Sequence, residues 1–559
     1  MTDQPCLSFQ RFYTYQEMTD YLFAVREKYS DFVSVESIGR SYEGRDIWAV
    51  TISSPVGGAP SERPALYIDA NIHAGEVMGS SVCLYVIQSM LNGYGSDEMV
   101  THILDTRTLY VIPRVNPDGA ELYLSKGDVP RSSVRPNPDF RLIRNHLYPQ
   151  DINGDGEILE MRIRDPNGAF RVSEHDNRVM VPREFDHVGG EYFSIYPEGL
   201  VHDYDGGDIR IGPPPWDLDM NRNFPADWKA QRTGTGRFPL SEPETRALAE
   251  FITGHPNIAS LQSYHTRGGK ILRPPSDGPD SAMDHRDMEI FELIARAGSD
   301  LTGYSVESTY FSYSDGRGSP KRGALMDWAY KDLGRLAYIT ELWDKYSRAG
   351  ISRDDVCYVK ALQEDARLEL MRWHDREQLD SFVDWTPMDH PQLGSLEIGG
   401  FKMGTFEQNT HFKFLEEECA QNASFIIKQA AALPRIAIAD YQVQAVSPGV
   451  MRVSVDVVNE GYLPTHVTYA GEERGLLGPV IATIHGEDLQ LLRNEAQIRI
   501  GHLSGYGSSG AGFFSEPPAN LRRVEWLIAS EVDSLEIVID SECAGTDRLI
   551  IDVGVELGL

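Results

Sequence analysis

The sequence predicts an α/β fold, a mixed and mostly parallel sheet flanked by helices, followed by a smaller all-β sandwich. Three observations carry this. Apolar strand-like runs alternate with helical-period segments over most of the chain, the texture changes to short alternating runs after Pro434, and 559 residues exceed what one hydrophobic core usually organises. The expected division is a first domain over 1–433, interrupted by an insertion at about 120–215, and a second over 434–559.

In chain order, 14–29 carries apolar side chains at helical spacing, and VSVESIGRSYEGRDIWAVTIS alternates as two strands around a glycine turn. ALYIDANIH reads as a buried strand, GSSVCLYVIQSML as a helix beside it and TLYVIPRVN as a further strand. From about 120 to 215 the periodicity fails amid Pro, Gly, Asp and Arg, which predicts loops inserted on the α/β core, bordering a functional site. The pattern resumes at SEPETRALAEFITGH, where Ser241 and Glu244 have capping-box spacing, and runs on through the strands ASLQSYHT and RLAYITELW. Helices are expected over about 353–379 and 414–432. The runs VMRVSVDVV, RVEWLIAS, SLEIVID and RLIIDVGVEL then supply the sandwich.

Composition excludes several function classes. A formal charge of −32 repels nucleic acid and anionic lipid, and no apolar run approaches the roughly 18 residues that span a bilayer. Five scattered cysteines without a CxxC pair suggest neither a disulfide framework nor a thiolate metal site. MTDQPCLSF lacks a signal-like apolar stretch, so a cytoplasmic location is expected if Met1 is the natural start, and a secreted or periplasmic one if the sequence is trimmed.

His73 and Glu76 stand where a strand gives way to a helix, so an imidazole and a carboxylate three residues apart can converge on one ion. Alone, HxxE is a weak pattern. It is accompanied, in order, by NPDG (116–119), DLDMNRNF (217–224), SYHT (263–266) and ITELW (339–343). With these motifs the chain resembles the carboxypeptidase A-like zinc carboxypeptidases over about 8–432, apart from the insertion.

The resemblance implies a Zn²⁺ held by His73, Glu76 and His265, with Asp219 buttressing a ligand histidine. It makes Glu341 the general base that takes a proton from the attacking water, and Asn221 with Arg222 the receptors of the substrate's terminal carboxylate. The implied partners are peptides with a free C-terminal carboxylate; oligomeric state is not legible. The family's mobile tyrosine has two candidates, Tyr310 and Tyr313, with Tyr313 favoured. Met326 holds the position facing the terminal side chain, which implies a preference for apolar or aromatic ends. Gly75 stands where many digestive members carry Arg. The carbonyl-polarising arginine is left open among Arg144, Arg162, Arg183 and Arg210.

Inside the insertion, Asp151, Asn153 and Asp155 have calcium-loop spacing, yet Arg162 stands at the twelfth position, where an EF-hand needs Glu. Ca²⁺ and a plain turn both remain open. Two other functions share the sequence: a zinc amidase or deacylase on the same fold, and an inactive binding scaffold.

Overall fold

The computed structural model describes residues 7–128, 130–230, 234–312, 318–352, 363–508, 519–529 and 532–557. Its centre is an eight-stranded mixed sheet formed by β1 (Val33–Arg40), β2 (Asp46–Ile52), β3 (Ala65–Ala70), β4 (Thr108–Ile112), β5 (Ile258–Thr266), β6 (Lys270–Arg273), β7 (Ser305–Ser308) and β8 (Leu336–Leu342). The spatial order is β1-β2-β4-β3-β5-β8-β6-β7. β4, β3, β5 and β8 run parallel to one another, while β2 joins β4, and β6 joins β8, antiparallel.

Helices cover both faces, which is why β3 and β5 are buried at every position and read as unbroken strands rather than alternating ones. On one face lie the helices Met78–Gly93, His285–Thr302 and Phe412–Ala432, packing Val82, Phe291 and Phe425 into a large apolar core. On the other lie Pro243–Gly254 and Leu325–Leu333, burying Leu248, Phe251 and Trp328. Gly79 lets the helix after Glu76 approach the sheet: a Cβ there would stand 3.0 Å from that of Ala70 and 3.2 Å from that of Tyr264. Helix Pro243–Gly254 starts differently from the capping box expected at Ser241. Its N-cap is Glu242, because Pro243 occupies the first turn, and Glu244 bonds the Tyr42 amide instead.

The insertion is more regular than the loops expected from sequence. Short strands Glu160–Arg164, Phe170–Val172, Met180–Pro182 and Phe193–Pro197 join the later hairpin Phe382–His390 and Gly394–Phe401 in a six-stranded sheet. A three-stranded sheet of His146–Pro149, Gly199–Val201 and Arg210–Ile211 adjoins it through a shared apolar core that includes Leu147, Met161 and Ile398. The helix expected over 353–379 spans Glu364–Arg376, with 353–362 outside the described residues.

After Pro434 two four-stranded antiparallel sheets face each other over a core centred on Val455, Trp526 and Ile537. This β domain docks on the α/β part through buried polar contacts. The Asp287 carboxylate accepts the amides of Tyr469 and Ala470, and Arg335 donates to the Cys543 sulfur.

Candidate metal centre

The site lies at the carboxyl ends of the central parallel strands, where an α/β sheet opens a crevice. After β3 the chain turns at Asn71, whose φ of 61° is left-handed and whose Nδ2 bonds the carbonyls of His73 and Ala74. This turn delivers His73 and Glu76 before the helix begins. β5 delivers His265 near its end, directly beside Glu341 of β8 in the parallel register.

The potential ligand atoms of His73, Glu76 and His265 lie within 4.8 Å of one another, and all three residues are buried. His73 Nδ1 is 2.9 Å from Glu76 Oε1 and 3.0 Å from His265 Nδ1, and His265 Nδ1 is 3.0 Å from Glu76 Oε2. The far sides of both rings are held elsewhere. His73 Nε2 meets Asp219 Oδ1 at 3.1 Å, and His265 Nε2 meets Ser263 Oγ at 3.3 Å, the latter hydroxyl donating to Asp69 at 2.6 Å. A ring that donates from Nε2 presents a lone pair at Nδ1, so two lone pairs and a carboxylate converge on one point. Glu76 Oε2 is buried 3.0 Å from His265 Nδ1, and with that ring's proton on Nε2 it receives no hydrogen bond from it. This donor set, with an unspent buried oxygen, fits a zinc ion.

Electrostatics agree with the geometry. Burial opposes ionisation of Glu76, but the two imidazoles hold its pKa below the ordinary range. Burial likewise opposes ionisation of Asp219, and His73 with Arg131 overcomes it. Glu341 has a raised pKa, chiefly from burial, against the pull of His265.

Asp219 caps the turn Met220–Arg222 that carries Asn221 and Arg222. Asn221 Oδ1 accepts the Leu325 amide, and Arg222 Nη1 donates to the Asn221 carbonyl. Gly323 allows the neighbouring loop to lie flat here, since a Cβ would come within 2.3 Å of the Arg222 carbonyl oxygen. Lys321 adds a positive charge close to this turn; its pKa is lowered to about 8 by burial and by Arg222. Met326 is 2% exposed and packs in the core with Met220 and Phe224. Tyr313 lies outside the described residues, whereas Tyr310 is half-buried and ring-packed against Phe311.

The four arginines considered from sequence are elsewhere. Arg144 pairs with Asp205, Arg162 with Glu397, Arg183 stacks on Tyr192 and Arg210 is exposed in a short edge strand. The guanidinium at the site is that of Arg131, 3.5 Å from Glu76 and 3.2 Å from Asp219. Its carbonyl accepts the Ala74 amide, and Asn116 of NPDG, buried, bonds the next carbonyl, that of Ser132. Those tethers fix Arg131 beside the His73 turn. No periodicity marks the loop, but the NPDG motif just before it points to the place. The buried support of Asp69 behind His265 likewise carries no sequence signal of its own.

The Asp151, Asn153 and Asp155 oxygens are taken up locally. Asp151 accepts the amides of Gly154 and Gly156, Asn153 that of Asp155, and Asp155 that of Glu157. These bonds account for the turn, and nothing in them supports calcium.

A mixed α/β sheet with two imidazoles and a carboxylate at its strand ends, and another carboxylate beside them, defines a metallohydrolase. A family model described as zinc carboxypeptidase matches residues 18–182 and 205–353, more than half of the chain. The chain belongs to the zinc carboxypeptidase family, and is thus a metallocarboxypeptidase-class hydrolase. Residues 435–551 match a domain of unknown function. Carboxypeptidase O of Bos taurus is 24% identical over 352 residues, covering 60% of this chain and 72% of its own length. Carboxypeptidase A1 of Rattus norvegicus is 22% identical over 339 residues, covering 60% and 64%. The structure of bovine thrombin-activatable fibrinolysis inhibitor in complex with tick carboxypeptidase inhibitor is 18% identical, covering 76% of this chain and 97% of that one, with a TM-score of 0.42. No described helix is long and apolar enough to cross a membrane.

Proposed function

We propose that this chain releases the C-terminal residue of peptides, using His73, Glu76 and His265 to hold zinc and Glu341 as the base. The observation that carries this reading is the pairing of His265 with Glu341 on adjacent parallel strands, which sets a proton acceptor beside the converging ligands. Zinc held there supplies Lewis acidity toward the scissile carbonyl and makes water easier to deprotonate.

The residues of the chain do the rest. Arg222, with Asn221, grips the terminal carboxylate and so sets the scissile bond one residue inward. Arg131 donates to the carbonyl oxygen as negative charge develops on it. Glu341, its proton affinity raised by burial, accepts the proton of the attacking water and passes it to the leaving amine. Asp219 and the Ser263–Asp69 pair fix the tautomers of the two histidines. Met326, apolar, favours apolar or aromatic terminal residues. The division at 433/434 separates this machinery from the β domain.

The test joins zinc quantification to release of free amino acids from peptides with varied C-termini, including γ-glutamyl-diaminopimelate peptides. Glu341→Gln is expected to keep its zinc and to lose about 10²- to 10⁴-fold in kcat. Undiminished hydrolysis in that variant would refute the mechanism.

A further inference from the structure

A cavity of about 1300 Å³ lies beside the metal centre, and none of the three candidate ligands lines it. Arg267 and Trp343 do line it. Each stands two residues beyond a site residue, His265 or Glu341, a span of roughly 7 Å of extended chain. The opposite wall comes from the insertion sheet, its partner hairpin and the helix Glu364–Arg376, through Met180, Trp385 and Leu370. Neither Asn221 nor Arg222 lines it, so the chamber is separate from the turn assigned to the terminal carboxylate.

The charges inside are unevenly matched. Lys345 and Arg267 both pair with Glu407, Arg178 pairs with Asp176 and Asp375, and Arg367 donates to the Met180 carbonyl. Each of these cations is thus already engaged. Glu157 and Glu160 also line the chamber, and their carboxylates accept no hydrogen bond and form no ion pair among the described residues. We propose, on the peptidase reading above, that the chamber holds the substrate segment on the amino-terminal side of the scissile bond and that Glu157 and Glu160 select a positively charged group in it.

Crowding by the surrounding protein raises the pKa of both carboxylates against the pull of Lys402 on Glu157 and of Arg367 and Lys345 on Glu160, while Glu160 keeps a face open to the water of the chamber, where a cationic ligand would meet it. Aromatic walls such as Trp216 and Tyr148 suit an ammonium or guanidinium as well as apolar side chains. The overall charge of −32 attracts such substrates from solution. The volume exceeds the usual range of about 300–1,000 Å³ for small-ligand pockets, as a segment of more than one residue requires.

The positive group has two sources, a free amino terminus or a basic side chain, and four tetrapeptides separate them: free or acetylated at the amino end, with lysine or leucine before the scissile bond. Binding is measured by calorimetry on zinc-loaded Glu341→Gln protein, and kcat/KM on the unaltered enzyme. Loss of the recognised charge is expected to weaken binding and kcat/KM about tenfold. In the Glu157→Gln/Glu160→Gln double variant that difference disappears, while zinc content and turnover of the uncharged peptide stay as they were. Equal binding of all four peptides, or discrimination that survives the double variant, overturns the proposal. Binding to the Glu341→Gln protein reads the chamber even if no peptide is hydrolysed, so a failure of the catalytic reading shows separately.

Discussion

Two stretches of this chain carry metal-ligand residue types at suggestive spacing, and they differ in where their lone pairs go. In the loop Asp151–Asp155 the side-chain oxygens are neighbours in sequence and spend themselves on amides of the same turn. In the cluster of His73, Glu76 and His265 the donors come from two strand ends 192 residues apart, and Glu76 Oε2 is left buried without a hydrogen bond. Local sequence can satisfy a turn. Only tertiary structure brings such donors together at the cost of desolvation, and that cost marks a cation-binding site.

The sharpest way to break this contrast is to remove one donor from each region. His265→Ala is expected to abolish stoichiometric zinc and reduce hydrolysis to background, whereas Asp155→Asn leaves both unchanged and added calcium does not shift its Tm. Metal analysis and thermal melts decide it; a calcium-dependent rise in Tm of the unaltered protein would restore the loop as a metal site. A smaller effect is expected one step behind the ligands of the same centre. Asp219→Ala frees the far nitrogen of His73 and should weaken zinc binding about 10- to 100-fold, read by competition with a chelator.

An effect on stability alone, away from the metal centre, comes from comparing two buried carboxylates. Glu76 has imidazole partners, whereas Glu244 has none, and burial lifts its pKa from 4.5 to about 7. The folded state therefore binds this proton more tightly than the unfolded chain does. The stability tied to Glu244 is fully present below pH 4.5 and is lost as pH rises to about 7. Glu244→Gln should remove that loss, stabilising the protein at pH 8 by at most about 3 kcal/mol and little at pH 4.5. Denaturant melts at the two pH values check it, and an equal effect at both would show that the carboxylate stays ionised throughout.

Much of this centre is legible in the amino-acid sequence. β3 and β5 read as buried strands, so His73 and Glu76 fall just after the first and His265 near the end of the second, and the acidic Glu341 stands out at the end of an apolar strand. Arg131 is not legible because its position depends on carbonyl tethers in an aperiodic loop rather than on any repeat of its own. The insertion sheet escapes for a related reason. Its strands are three to five residues long, too short for alternation to show, and Glu160–Arg164 finds a partner in Gly394–Phe401, more than 200 residues later. Calcium spacing by itself records residue types and not whether their oxygens are spent.

The ladder between β5 and β8 has a consequence for how such an enzyme can change. His265 and Glu341 face each other on one rung, so the gap between a ligand and the base is set by main-chain hydrogen bonds. A slip of one residue would turn every side chain of the strand to the wrong face of a sheet packed on both sides. Surrounding loops can therefore be exchanged to retune what is cut, while the spacing at the reacting centre stays as rigid as the sheet itself.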